Sequence, residues 1–294
     1  MLISVVTPSY NQGEFIGRTL ASVADQSYPA FEHLVFDGGS KDQTVDVLKA
    51  SKPPLQWVSR ADGGQADAVN QGLKAASGEI IAWINSDDIY YPGAFERVVA
   101  AFAADPELDV LYGQADHIDR EDIPFEAYPT TDWDPELLQQ TCFICQPALF
   151  FRRRVIEKVG LLDADLNYCM DYNYWLRLAD AGCRFSYLKE KLAGSRLYED
   201  NKTLSNRPAV HWEIADMFKA NYGNVPLRWI FAYAHHKTAA HIDRSQQPFR
   251  FKLFLYMRTL RSQWRWNRRL GISALSELRR PKHLQAQASA TASS

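Results

Sequence analysis

A chain of 294 residues that is 46% hydrophobic and 13% aromatic can bury one large core or two smaller ones, which excludes disordered and fibrous classes. Its net charge of −2 hides an asymmetry: residues 225–294 hold 13 Lys and Arg against Asp243 and Glu277 alone, leaving −13 on the first 224 residues. The opening MLISVVTPSYNQGEF has no basic region ahead of its short apolar run, and no stretch reaches the roughly 18 apolar residues of a bilayer span, so neither a secretory leader nor a membrane span is expected.

In chain order, β-branched runs alternate with helical patterns: strand 2–9 and helix 14–25, strand 31–37 and helix 44–50, strand 55–59 and helix 65–76, strand 80–85 and helix 93–104. Strands joined by crossover helices pair in parallel with helices on both faces, so a doubly wound α/β sheet is expected. Beyond a short strand at 110–113, residues 116–135 read as loop-rich, the composition of an acceptor or lid region. The stretch 142–151, helices at 153–159 and 170–181 and a strand at 184–188 follow, and the end, AQASATASS, reads as disordered. Cys142 and Cys145 form a C-x-x-C, but Cys169 and Cys183 lie 14 apart without that spacing, so reduced cysteines in a cytoplasmic protein are expected rather than zinc.

Ligands of doubly wound sheets bind beyond the carboxyl ends of the strands. The loops there read Thr7-Pro8-Ser9-Tyr10-Asn11, Asp37-Gly38-Gly39-Ser40, Asp62-Gly63-Gly64-Gln65 and Asn85-Ser86-Asp87-Asp88. No G-x-G-x-x-G follows the first strand, which disfavours a dinucleotide oxidoreductase. Asp87 and Asp88 can offer hard oxygen ligands to Mn²⁺ or Mg²⁺; as turn and cap residues before the helix after Pro92 they would need no ligand, and the company of three other polar loops favours the metal. Asp37 can accept a hydrogen bond from a base N–H or simply shape its DGG turn. Asp62, Gln65 and Asp67 form a further polar cluster that capping of the following helix would also explain. Asp171 stands at a helix start in Tyr168-Cys169-Met170-Asp171-Tyr172-Asn173-Tyr174-Trp175, where desolvation by aromatics would suit a general base and the helix dipole would suit any Asp.

The runs TPSYNQGEFIGRTLASVADQSY, DGGSKDQT, ADGGQADAVNQGLKAASGEIIAWINSDDIYYPGAF and CQPALFFRRRVIEKVGLLDADLNYCMDYNYWLRLA, in this order over roughly residues 2–205, resemble the family 2 inverting glycosyltransferases of GT-A fold. The resemblance implies that Asp37 binds the nucleotide base, that Thr7, Pro8 and Tyr10 pack around it, and that Asp87 and Asp88 hold ribose and metal. It also implies Asp171 as catalytic base and Gln146 as a residue lining the acceptor pocket. Two departures stand out. The family's D-x-D is Asn85-Ser86-Asp87 here, which shifts the ligand burden to Asp87 and Asp88. Where relatives often carry Arg-x-His, this chain has Arg196-Leu197-Tyr198-Glu199, so a histidine ligand is lacking while Arg196 remains to stabilise the leaving group.

The expected arrangement is therefore residues 1–115 for the nucleotide-diphospho-sugar, 116–224 for a saccharide or lipid-linked acceptor plus the base, and 225–294 as a basic helical tail. The rival readings are a non-catalytic nucleotide-sugar-binding protein and a nucleotidyltransferase on a similar sheet. In the tail, Leu253, Met257, Leu260 and Trp264 recur at helical spacing beside Arg258, Arg261, Arg265 and Arg268. Such a helix suits the inner, anionic face of a membrane, or else packs its apolar stripe on the body; nucleic acid is not expected beside an acidic body.

Overall fold

The computed structural model describes residues 1–52, 55–199 and 201–268. The expected disorder at the Ala/Ser-rich end falls outside these residues. The chain divides into two compact units, one spanning Met1–Asn206 and one starting at Arg207.

The first unit is built on the strands β1 (Ile3–Ser9), β2 (Phe31–Asp37), β3 (Leu55–Ser59) and β4 (Ile80–Trp83), joined by the helices α1 (Ile16–Ala24), α2 (Thr44–Ala50) and α3 (Gln65–Ala75). These four strands are parallel in the order β3-β2-β1-β4. All seven residues of β1 are buried, as a central strand covered on both faces requires. Ile3 and Val5 point to the cluster that contains Phe95, Val98 and Phe102 of helix α4 (Ala94–Ala104), each fully buried and contributing about 2 kcal/mol by removal from water. Val6 points the other way, onto α3, where a Cβ on Gly72 would lie 2.2 Å from Val6 Cγ1; only glycine lets helix and strand meet there.

Past β4 the sheet becomes mixed. A two-residue strand β5 (Ile89–Tyr90) precedes α4, and β6 (Val110–Ile118) runs five residues beyond the expected 110–113 strand. The region 116–135 also holds a hairpin strand, β7 (Pro124–Ala127), and leads into helix α5 (Pro135–Gln140), capped by the Asp134 carboxylate on the N–H groups of Glu136 and Leu137. Then come a 3₁₀ turn (Gln146–Ala148), β8 (Leu149–Arg152), α6 (Arg154–Val159), α7 (Met170–Asp180) and β9 (Phe185–Arg196). Strand β9, 12 residues long, pairs in parallel with β6 from Phe185 to Arg196 and, on its other edge at Ala193 and Gly194, antiparallel with β5. That second pairing carries its end, Arg196, to the rim of the first half-sheet. A short helix α8 (Lys202–Ser205) closes the unit.

The second unit, over its described residues, comprises α9 (Arg207–Tyr222), α10 (Leu227–Ala239) and α11 (Pro248–Asn267). Val210, Ile214 and Phe218 of α9, Trp229 and Ile230 of α10, and Phe251 and Trp266 of α11 are among its buried apolar residues. Trp266 Nε1 donates to Asp216 Oδ1 at 2.6 Å, and the Asn267 amide both accepts from and donates to the backbone of Val225 at 2.8 Å. No helix among the described residues is long and apolar enough to cross a membrane.

Candidate active site

The carboxyl ends of β1, β2, β3 and β4 converge on one rim, and their loops are stitched together by side chains. Asn11, in the left-handed region at φ 51°, accepts from the N–H of Lys41, while its own N–H donates to Ser40 Oγ at 2.7 Å. Asp37 ends β2 and is 2% exposed. Its Oδ2 accepts from the N–H groups of Gly39 and Ser40 and from the Ser59 hydroxyl at 2.6 Å, and its Oδ1 accepts from Ser40 Oγ. The turn role and the base-binding role are therefore compatible: Oδ2 builds the loop, and Oδ1 has capacity left. The Asp62 carboxylate lies over Gly38, where an added Cβ would sit 3.1 Å from it, so a side chain at 38 would close this corner. Tyr10 is 61% exposed above the same corner.

Other expected residues are turned elsewhere. Thr7 is fully buried and its hydroxyl pairs with His33 Nε2 at 2.9 Å, inside the sheet; burial pushes the His33 pKa down to about 3, so this pair is neutral. Asp67 serves the start of α3 by accepting from Gly63 N–H and Gln71 Nε2, both at 3.0 Å. Gln65, in contrast, points to the rim, its Nε2 donating to Asn85 Oδ1 at 2.9 Å while its Oε1 accepts from Lys202 Nζ at 3.2 Å.

Asp87 and Asp88 differ in environment. Asp88 is 3% exposed; its Oδ1 accepts the Arg196 N–H at 2.8 Å and its Oδ2 faces Asn85 Nδ2 at 3.4 Å. Burial first, and then the neighbouring Asp87 charge, hold the Asp88 carboxyl well above the ordinary carboxylate range. Asp87 is half-buried, and its Oδ2 accepts from the Tyr198 hydroxyl at 3.1 Å. Burial raises its pKa too, opposed by Tyr198 and by the charge of Arg196. A divalent cation beside the pair relieves this penalty, and carboxylate oxygen is the donor Mg²⁺ and Mn²⁺ prefer. Among the described residues no three His, Cys, Asp or Glu side chains form a metal cage. The pair thus fits an ion that takes the rest of its shell from phosphate and water.

Arg196, expected at the leaving group, lies instead beneath the acid pair. Its side chain is fully buried; Nε donates to the Asp87 carbonyl at 2.7 Å, Nη1 to the Asp119 carbonyl and Nη2 to the Asp122 carboxylate, with the Phe15 ring 4.9 Å below. The same Asp122 oxygen, Oδ1, is also held by Arg18 at 3.2 Å. The guanidinium thus ties the β6–β7 turn to the Asp87–Asp88 loop, a contact spanning 109 residues that spacing along the chain does not reveal.

Asp171 lies in the first turn of α7, half-buried, accepting the Tyr172 N–H at 2.7 Å. The thiol of Cys145, which bonds to Ser195, is pushed well up by burial first and then by the charge of Asp88. Like Cys142 before it in the C-x-x-C, Cys145 is a free thiol. Next to it, Gln146 is 8% exposed; its Nε2 donates to the Trp83 carbonyl at 2.6 Å, and its Oε1 has no partner among the described residues. Ser9 Oγ, at the end of β1 opposite Asp37, is likewise buried and unpartnered. Ser9, Ser59, Tyr198 and Lys202 were not among the residues expected from sequence; the position of Tyr198, two after Arg196, was the one signal available.

The sequence model of glycosyl transferase family 2 matches residues 4–160. Among curated relatives, the O-antigen biosynthesis protein RfbC of Myxococcus xanthus is 29% identical over 210 residues, which are 66% of this chain and 16% of that protein. A glycosyltransferase of Rickettsia typhi is 26% identical over 215 residues, 69% of this chain and 66% of that one. The chain thus spans less than two thirds of either. Two solved structures share the fold. Staphylococcus aureus TarS in complex with UDP-GlcNAc gives a TM-score of 0.60 at 18% identity, covering 90% of this chain and 80% of that one. The mannosyltransferase PcManGT of Pyrobaculum calidifontis, in complex with GDP-Man and Mn²⁺, gives 0.60 at 18% identity, covering 90% and 86%.

Proposed function

The chain belongs to glycosyl transferase family 2, and from that premise we propose that it moves a sugar from a nucleotide-diphospho-sugar to an acceptor hydroxyl with inversion at the anomeric carbon. One relative, an O-antigen biosynthesis protein, favours a saccharide or lipid-linked acceptor. Residues 1–115 hold the donor, and the rest of the first unit, to Asn206, holds the acceptor and the base.

Tyr10 stacks on the base, Asp37 accepts its N–H through Oδ1, and Asp62 and Asn85 face the ribose. Asp87, more open than Asp88, is the carboxylate that would hold Mn²⁺ or Mg²⁺; such an ion neutralises charge on the diphosphate when bound. Asp88 and Arg196 are positioning residues that set the height and direction of Asp87. Lys202, which reaches Gln65 above Asn85, is the protein's own cation for the departing diphosphate, the task that the burial of Arg196 leaves open. Asp171 takes the proton from the acceptor hydroxyl as its oxygen bonds to the anomeric carbon, and the bond from that carbon to the phosphate oxygen breaks with its electron pair going to the nucleoside diphosphate.

What supports this reading is the gathering of Asp37, Asn85, Asp87 and Asp88 at the carboxyl ends of parallel strands, where Tyr198 reaches Asp87 and Lys202 reaches Gln65. A panel of nucleotide sugars, scored by thermal stabilisation and by nucleoside diphosphate release with Mn²⁺, tests the reading. One sugar class that stabilises and is turned over supports it; no stabilisation by any member overturns it.

A further inference from the structure

Helix α11 presents two opposite apolar faces, and the second unit uses one of them. Phe251, Thr259, Ser262 and Trp266 are buried, and Phe251 and Trp266 pack on rings of the preceding helices, with centroids 5.4 Å from His235 and 5.1 Å from Trp212. On the opposite side, Leu253, Met257, Leu260 and Trp264 recur at steps of four, three and four residues, the repeat of one helical stripe. Leu253 is 46%, Met257 38% and Trp264 52% exposed, and Phe249, at the start of the helix, is 78% exposed. A polar helix back would cost nothing in water, whereas this one leaves large side chains hydrated.

Charge selects what covers the stripe. Arg250, Lys252 and Arg261 are exposed along its flanks, and no Asp or Glu occurs from Arg244 to Asn267. Arg258 and Arg265 are engaged within the unit, by the Lys237 carbonyl and the Trp212 ring respectively, while the three flanking cations, and Arg268 at the helix end, are exposed. A second copy would bring the same cations against these and repel. An anionic lipid surface offers hydrocarbon to Leu253, Met257 and Trp264 and phosphate to the flanks. We propose that α11 is a membrane-surface helix, which lies with the Leu253–Trp264 stripe in the headgroup region of an anionic leaflet. The inference stands on α11 alone and does not rest on the glycosyl-transfer reading.

Co-sedimentation of the full chain with vesicles of phosphatidylcholine, alone or mixed with phosphatidylglycerol, tests this at low and high salt. The wild type is expected to pellet with the anionic vesicles at low salt and to be released by salt. Neutralising the flanks in Arg250→Gln/Lys252→Gln/Arg261→Gln lowers partitioning about a hundredfold, at about fivefold per charge. The stripe variant Leu253→Gln/Met257→Gln/Trp264→Gln loses binding to both vesicle types. All six side chains are exposed, so circular dichroism melts should match wild type. Equal pelleting with neutral and anionic vesicles, or a stripe variant that binds like wild type, overturns the proposal. So does a self-associating species in sedimentation velocity that the stripe variant dissolves, which would assign the face to a second copy.

Discussion

The hydroxyl of Tyr198 donates to Oδ2 of Asp87 at 3.1 Å, two residues after the Arg196 that holds the Asp87 carbonyl. Burial and the Asp87 charge push the Tyr198 pKa up to about 12, so the phenol stays protonated and remains a donor at any working pH. Tyr198→Phe should weaken donor binding about fivefold, the worth of one hydrogen bond near 1 kcal/mol, with turnover at saturating donor little changed. Titration calorimetry with the nucleotide sugar measures the first and saturation kinetics the second. A variant with wild-type affinity would remove Tyr198 from the site.

Arg196 separates two accounts of the leaving group. A side chain that touched the diphosphate would, when changed to Gln, lower turnover and leave the melting temperature alone. Here the guanidinium is buried and binds Asp87, Asp119 and Asp122, so Arg196→Gln should destabilise the protein by about 3 kcal/mol and displace the acid pair. Lys202→Gln should do the reverse, lowering turnover at an unchanged melting temperature. Denaturant melts and kinetics on the two variants distinguish them.

Metal removal gives a third prediction. Nucleoside diphosphate release should fall to background in excess chelator and recover with Mn²⁺ or Mg²⁺. Asp87→Ala should lose both donor affinity and the stabilisation that Mn²⁺ and donor give wild type together, because Asp87 is the more open of the pair. Full activity in chelator would contradict the assignment.

His33 predicts a pH dependence of stability. Its folded pKa of about 3 lies below the value of about 6.5 in the unfolded chain, so as pH falls below 6.5 the unfolded state binds a proton that the native state refuses. The stability is complete above about pH 6.5 and is lost progressively toward pH 3, by at most about 5 kcal/mol. Melts of wild type and His33→Gln across that range should converge as the pH drops, because the variant lacks this slope.

These predictions draw unequally on what could be read before the fold was known. The four parallel strands were legible because strands buried on both faces, such as Ile3–Ser9, read as unbroken apolar runs. The far half-sheet was not. All four residues of β7 are exposed and give no alternation, and β9 crosses a Lys-Glu-Lys run on its way to Arg196. Acids at strand ends announced Asp37, Asp87 and Asp88, but only the fold brings Tyr198 to Asp87 and a turn at Asp119–Asp122 to Arg196. In the tail, the period of the Leu253–Trp264 stripe was plain, while its exposure depended on Phe251 and Trp266 having filled the opposite face.

The base is where the proposed chemistry is most exposed to test. Asp171→Asn preserves shape and the acceptor oxygen that takes the Tyr172 N–H, so the account predicts unchanged nucleotide-sugar affinity by calorimetry. It also predicts nucleoside diphosphate release lowered about a hundredfold or more, the share of a positioned general base. Release at the wild-type rate with unchanged affinity would place the base elsewhere and contradict the mechanism.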